Sequence, residues 1–147
     1  MRVLVTGGSG VIGEGLLPAL LAAGHQVRLL TRGADEVVRE RPGNVESFSA
    51  DVTRPEQLRG AADGCDAVVH ITGIVEEDPP EWTFERVNVG GTHNVVLECA
   101  RAGSPTFIFV SSLAAERGTS KYHASKRDAE AVVRGYAGHA IILRPGN

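Results

Sequence analysis

The chain has 147 residues, 42% of them hydrophobic, and a formal net charge of −3 at pH 7. That length is one domain's worth and can bury roughly two thirds of the unfolded chain's surface, so a true core is expected. Mild acidity without a Lys/Arg run excludes the basic face of a nucleic-acid binder, and no apolar stretch nears the roughly 18 residues of a membrane span.

Val3-Leu4-Val5 is a short apolar run that ends in a glycine turn and reads as a buried strand. Residues 11–23 carry a helix pattern, with Val11, Ile12, Leu16, Leu17, Leu20 and Leu21 on one broad face, Pro18 inside it and Gly24 as its stop. Val27–Thr31 is a second strand, residues 33–44 are polar and irregular, and Val45–Ala50 is a third strand. Thr53 is placed to cap a short helix with Pro55 in its first turn. Ala67–Ile71 is a fourth strand, residues 74–80 form an acidic loop, and a long helix is predicted from Trp82 to Ala102, closed by Gly103. Thr106–Val110, rich in β-branched and aromatic residues, is a fifth strand. Lys121–Tyr136 is a helix and Ala140–Leu143 a sixth strand. Strands separated by helices imply βαβ units: a doubly wound parallel α/β sheet in order 3-2-1-4-5-6. The whole chain, 1–147, reads as one such domain, and a strand followed at once by the last residues suggests the N-terminal part of a longer protein.

The turn after the first strand spaces Gly7, Gly10 and Gly13 as GxxGxxG. A glycine at the first position permits the tight turn. The second lets the backbone approach a pyrophosphate, and the third lets the helix pack on the sheet, with its N-terminal N–H groups facing the anion. Ser9, Val11 and Ile12 complete this loop. At the end of the second strand, where an acidic residue would bond the ribose of NAD, stands Thr31-Arg32. Arg32 is able to pair a 2′-phosphate and stack on adenine, which favours NADP(H) over NAD(H); its plain alternative is a solvated surface arginine. Of the 15 basic residues only Lys121 and Lys126 are lysines, so the sequence Tyr122-x-x-x-Lys126 carries more information than usual. On a helix these two side chains lie one turn apart on one face. Cys65 and Cys99 read as buried thiols of a reducing compartment, no Cys/His spacing suits a metal, and with no signal-peptide layout at the start a cytoplasmic setting is expected.

Seven segments in order, VTGGSGVIG at 5–13, ADV at 50–52, DAVVHITG at 66–73, NVGGTHNVV at 88–96, FVSS at 109–112, YHASK at 122–126 and ILRPG at 142–146, resemble the short-chain dehydrogenase/reductase superfamily. The resemblance is to its extended, NAD-dependent epimerase/dehydratase group. The short loop between FVSS and YHASK is similar to an atypical branch that includes the NADPH-binding accessory subunit of respiratory complex I. The resemblance implies that Asp51 and Val52 contact adenine, and that Ile71, Thr72 and Gly73 line the cofactor by main chain. It implies Tyr122 as general acid/base, Lys126 as the group that binds the nicotinamide ribose and lowers the tyrosine pKa, Ser112 or else Ser111 as the holder of the substrate oxygen, and Asn88 as a support. A free tyrosine has a pKa near 10, so work near pH 7 needs a fall of about three units, roughly 4 kcal/mol. Thr72 stands where a small alanine is usual, and the gap from Ser112 to Tyr122 is short. His70 and His123 are expected to be packed or solvated. Two functions remain open: an oxidoreductase or epimerase/dehydratase acting on a small hydroxyl or carbonyl molecule such as a nucleotide-sugar, with a homo-oligomer possible, and a nucleotide-binding subunit or redox sensor with little catalysis. In this superfamily the substrate region is built mainly by later residues.

Overall fold

The computed structural model describes residues 1–40 and 43–146. Six strands form one sheet: β1 (Arg2–Thr6), β2 (Gln26–Thr31), β3 (Val45–Ser49), β4 (Ala67–His70), β5 (Thr106–Val110) and β6 (His139–Leu143). Their order is β3-β2-β1-β4-β5-β6 and every pairing is parallel, as the alternating pattern predicts. The helices are α1 (Val11–Ala22), α2 (Ala34–Arg39), α3 (Pro55–Leu58), α4 (Thr92–Ala102) and α5 (Lys121–Arg134).

Strand alternation sorts the core to two faces. Leu4, Leu30, Val68, Phe107 and Phe109 pack with Val95, Cys99, Ala129 and Val133 of α4 and α5. Val3, Val5, Val27, Leu29 and Val69 pack with Leu17 of α1 on the other side. β1 sits between β2 and β4, and chain connections leave it in opposite directions, so a crevice opens at the carboxyl ends of these strands.

Several local expectations are corrected. The segment 33–44 contains α2, whose N-terminus follows Gly33 at φ +66°; residues 41 and 42 of it, like Asn147, lie outside the described residues. Ser49 Oγ accepts the Ala34 N–H at 3.1 Å, a tertiary bond that local polarity does not reveal. The apolar face of α1 is Leu17 with Leu16, Leu20 and Leu21 packed beside it, while Val11 and Ile12, 88% and 46% exposed, lie outside it. Thr53 does not cap α3. Arg54 holds that place, and the Thr53 hydroxyl donates to Asp51 Oδ1 at 2.8 Å. The long helix starts at Phe84 and not at Trp82, and its first part, Glu85–Gly91, is π-helical before α4 continues it. Gly91 explains the close seat of this segment, because a Cβ there would lie 2.8 Å from Val52 Cγ2. α5 ends at Arg134, and Tyr136 leaves the helix to donate its hydroxyl to the Ser104 carbonyl.

Candidate functional site

One cavity of about 630 Å³ opens at the carboxyl ends of the strands. Its walls come from the segments that follow β1, β2, β3, β4 and β5, and from the first turns of α5. Gly7, Ser9, Gly10, Val11, Ile12, Arg32, Asp51, Val52, Ile71, Thr72, Gly73, Tyr122 and Lys126 all line it. Gly13, Asn88 and Ser112 do not; Ser111 does.

The glycine turn is built by exclusion of side chains. Gly7 has φ +74°, and a Cβ there would lie 2.7 Å from the Thr72 nitrogen. A Cβ on Gly13 would penetrate the backbone of Gly8, so α1 is seated on the turn itself. A Cβ on Gly10 would meet only the Gly7 carbonyl, at 3.7 Å. Gly10 is the N-cap of α1 and no side chain caps it, which leaves first-turn N–H donors for an anion. A volume of this size, a wall of bare backbone and an uncapped helix N-terminus fit a dinucleotide with its pyrophosphate at α1.

α5 carries the catalytic candidates because Ser120 caps it: its Oγ accepts the His123 N–H at 3.2 Å. Lys126 is 4% exposed; its Nζ donates to the Val110 carbonyl at 2.7 Å and lies 4.4 Å from the Phe109 ring centre. Burial pulls its pKa down to about 8, partly offset by Glu130. Tyr122 is partly buried against Phe84, and burial pushes its phenol upward. Asn88 works at one remove. Its Oδ1 accepts the Ile74 N–H at 2.8 Å and its Nδ2 donates to the Ile74 carbonyl at 3.0 Å and to Ser125 Oγ at 2.9 Å. Ser125 in turn donates to the Tyr122 carbonyl at 2.7 Å. His70 is fully buried between Thr6 and Thr92, and burial holds its pKa at about 3, so it is neutral packing.

Sequence reading missed two features. Glu130 is fully buried; Arg144, then Ser111 and Arg134, hold its pKa at about 2 against the opposing effect of burial. An ionised carboxylate only accepts, so Ser111 Oγ must donate to it, at 2.6 Å. The other feature is Trp82, whose ring lies 4.2 Å from the Arg32 guanidinium carbon. Its signal was available, since it is the sole tryptophan and stands at the end of an acidic loop.

The buried ammonium has a stability cost that can be measured. The folded pKa of about 8 lies below the ordinary 10.5, so the unfolded chain holds the proton more tightly. At about 1.4 kcal/mol per pH unit this costs about 3 kcal/mol below pH 8, and the cost fades as pH rises towards 10.5. The stability of Lys126→Met relative to wild type is therefore expected to be most favourable below pH 8 and to fall as pH rises towards 10.5, read from urea midpoints across that range, since the lost bond to the Val110 carbonyl adds a pH-independent cost. A stability difference that does not change with pH would contradict this.

A doubly wound sheet with a glycine-walled turn and a cavity at its switch point defines a dinucleotide-binding α/β domain. Residues 7–147 match the family model described as NAD(P)H-binding, and the chain belongs to that family, within the short-chain dehydrogenase/reductase superfamily. It is 38% identical over 144 residues to a ceramide reductase of Caulobacter vibrioides, covering 97% of this chain and 45% of that protein. It is 36% identical over 118 residues to a 3β-hydroxysteroid dehydrogenase/Δ5→4-isomerase of Mycobacterium tuberculosis, covering 76% of this chain and 31% of that one. Among solved structures, a short-chain dehydrogenase/reductase superfamily protein of Agrobacterium tumefaciens with bound NAD superposes with a TM-score of 0.79 at 25% identity, covering 98% of this chain and 48% of that one. The chain thus spans about half or less of the length of these relatives. Among the described residues no helix is long and apolar enough to cross a membrane.

Proposed function

We propose that the chain forms the dinucleotide-binding part of an NADP(H)-dependent oxidoreductase acting on a hydroxyl or carbonyl group through Tyr122 and Lys126. The observation that carries this reading is that the glycine turn, Arg32 after β2, and Tyr122 with Lys126 on α5, three separate segments, line one cavity. The bound nicotinamide would supply hydride exchange. Lys126 would hold the nicotinamide ribose with its ammonium, and Tyr122 would pass the proton at its phenolic oxygen. The Ser111 proton is spent on Glu130, so Ser112, whose hydroxyl has no hydrogen-bond partner among the described residues, is the serine left to donate to a substrate oxygen. Asp51 and Val52 would meet adenine. The names of the two relatives, a ceramide reductase and a steroid dehydrogenase, favour a hydroxyl or ketone on a largely apolar molecule over a nucleotide-sugar. Two unpaired buried thiols, Cys65 and Cys99, suit a reducing, cytoplasmic setting.

A second reading, a nucleotide-binding subunit or redox sensor without turnover, has one observation in its favour. Burial raises the Tyr122 phenol, the opposite of what a base needs.

Cofactor choice is tested by titrating NADPH and NADH against the wild type and Arg32→Leu. A charge-assisted pair to the 2′-phosphate is worth about 1.5–3 kcal/mol, so NADPH is expected to bind roughly 10- to 100-fold more tightly, and Arg32→Leu to remove that advantage. Equal binding by the wild type, or a preference for NADH, overturns the assignment.

A further inference from the structure

The segment from Ile74 to Phe84 borders the cavity as a strap pinned at several points. Asn88 clamps the backbone of Ile74 at one end. Asp78 and Trp82 exchange backbone hydrogen bonds at 2.7 and 3.0 Å, closing a small loop. Glu77 Oε1 accepts the Phe84 N–H at 2.9 Å and Arg86 Nη1 donates to the Pro80 carbonyl at 3.1 Å. Val75, Glu76, Asp78 and Trp82 of this strap face the cavity.

The strap meets the end of β2 through a cation–π contact, with the Arg32 guanidinium carbon over the Trp82 ring, 4.2 Å from its centre. Both residues line the cavity. Arg32 makes no hydrogen bond or ion pair to another described residue, so the indole is what orders its head. A guanidinium held by one face keeps its N–H donors in the plane of the group, free at the edge. An anion can then be received without prior rearrangement, and the ordering entropy of the long side chain is already spent.

We infer that Trp82 is a positioning residue for Arg32, and through it a determinant of selectivity for a ligand that carries a phosphate on the adenosine 2′-oxygen. The inference rests on the proposed role of Arg32. Trp82 itself donates nothing to the phosphate. Its contribution is the flat, electron-rich surface that holds the guanidinium at the cavity wall, while the backbone bonds of the strap hold the indole.

The test isolates the adenosine end of the ligand. Adenosine 2′,5′-bisphosphate and adenosine 5′-monophosphate are titrated calorimetrically against the wild type, Trp82→Leu, Trp82→Phe and Arg32→Leu, with far-ultraviolet circular dichroism and urea midpoints checking each fold. Leucine keeps apolar bulk but has no aromatic face; phenylalanine keeps a face. The wild type is expected to prefer the bisphosphate by about tenfold or more. Trp82→Leu should reduce that ratio by about three- to tenfold, and Trp82→Phe should recover most of it. If Arg32→Leu removes the preference but Trp82→Leu preserves it, the inference fails and the role of Arg32 stands. If Arg32→Leu leaves the ratio unchanged, both fail together. A Trp82→Leu chain that does not fold leaves the decision to Trp82→Phe and to the intrinsic fluorescence of the wild type. Trp82 is the sole tryptophan, and its emission must then respond to the bisphosphate and not to the monophosphate. Equal responses to the two ligands overturn the inference.

Discussion

Gly13→Ala is expected to unfold the α1 end of the domain and abolish dinucleotide binding. The added methyl would enter the backbone of Gly8, and Gly8 is itself packed so closely that a Cβ of its own would strike Leu29. The atoms that the Gly13 methyl would enter are backbone, which cannot swing away as a side chain can. The helix must lift, which pulls Leu17 out of the core and turns the first-turn N–H donors off the cavity. Overpacking a core commonly costs about 1–3 kcal/mol, and collision with backbone belongs at or above the top of that range. Gly15→Ala, two residues on in the same helix, is the internal control. A Cβ at Gly15 meets nothing within 4 Å, so alanine there should stabilise the helix by about 0.5–1 kcal/mol. Urea unfolding and NADPH titration of both variants provide the measurement. A Gly13→Ala chain with native stability and affinity would refute this account of the turn.

Tyr122→Phe is expected to lower turnover by about 10²-fold or more while cofactor affinity barely moves, the usual loss when a general acid/base is removed. The phenol oxygen is the only atom deleted, and the ring keeps its packing against Phe84. The experiment needs the complete protein and an identified substrate, with turnover and cofactor affinity measured on the same preparation. Lys126→Ala should damage both quantities, because the proposed lysine role includes the ribose. Full activity in Tyr122→Phe would favour the nucleotide-binding reading, in which the raised phenol of Tyr122 is simply a buried tyrosine.

Much of the site was legible because it lies on regular elements whose spacing is read directly. The strand before Gly7 and the helix after it place the turn, and helical periodicity brings Tyr122 and Lys126 to one face. The role of Gly8 was not legible, since it depends on Leu29 in another strand. The π-helical turn of Glu85–Gly91 before α4 was hidden for a similar reason: the pattern of apolar residues continues through both, while the close seat of Gly91 on Val52 is tertiary. Arg32 was read as a cofactor residue from its place after β2, yet its aromatic partner lies fifty residues away on the strap.

The sequence by itself determined the parallel sheet, its strand order and the glycine turn at the cavity, because period, turn chemistry and crossover handedness are local or nearly local properties. Only the tertiary structure decided which groups are charged and which donors are free. Glu130 meets Arg144 and Ser111, His70 is sealed between two threonines, and Lys126 rests on the Val110 carbonyl, each through contacts between separate elements. Protonation follows from burial and neighbours, and folding alone creates both.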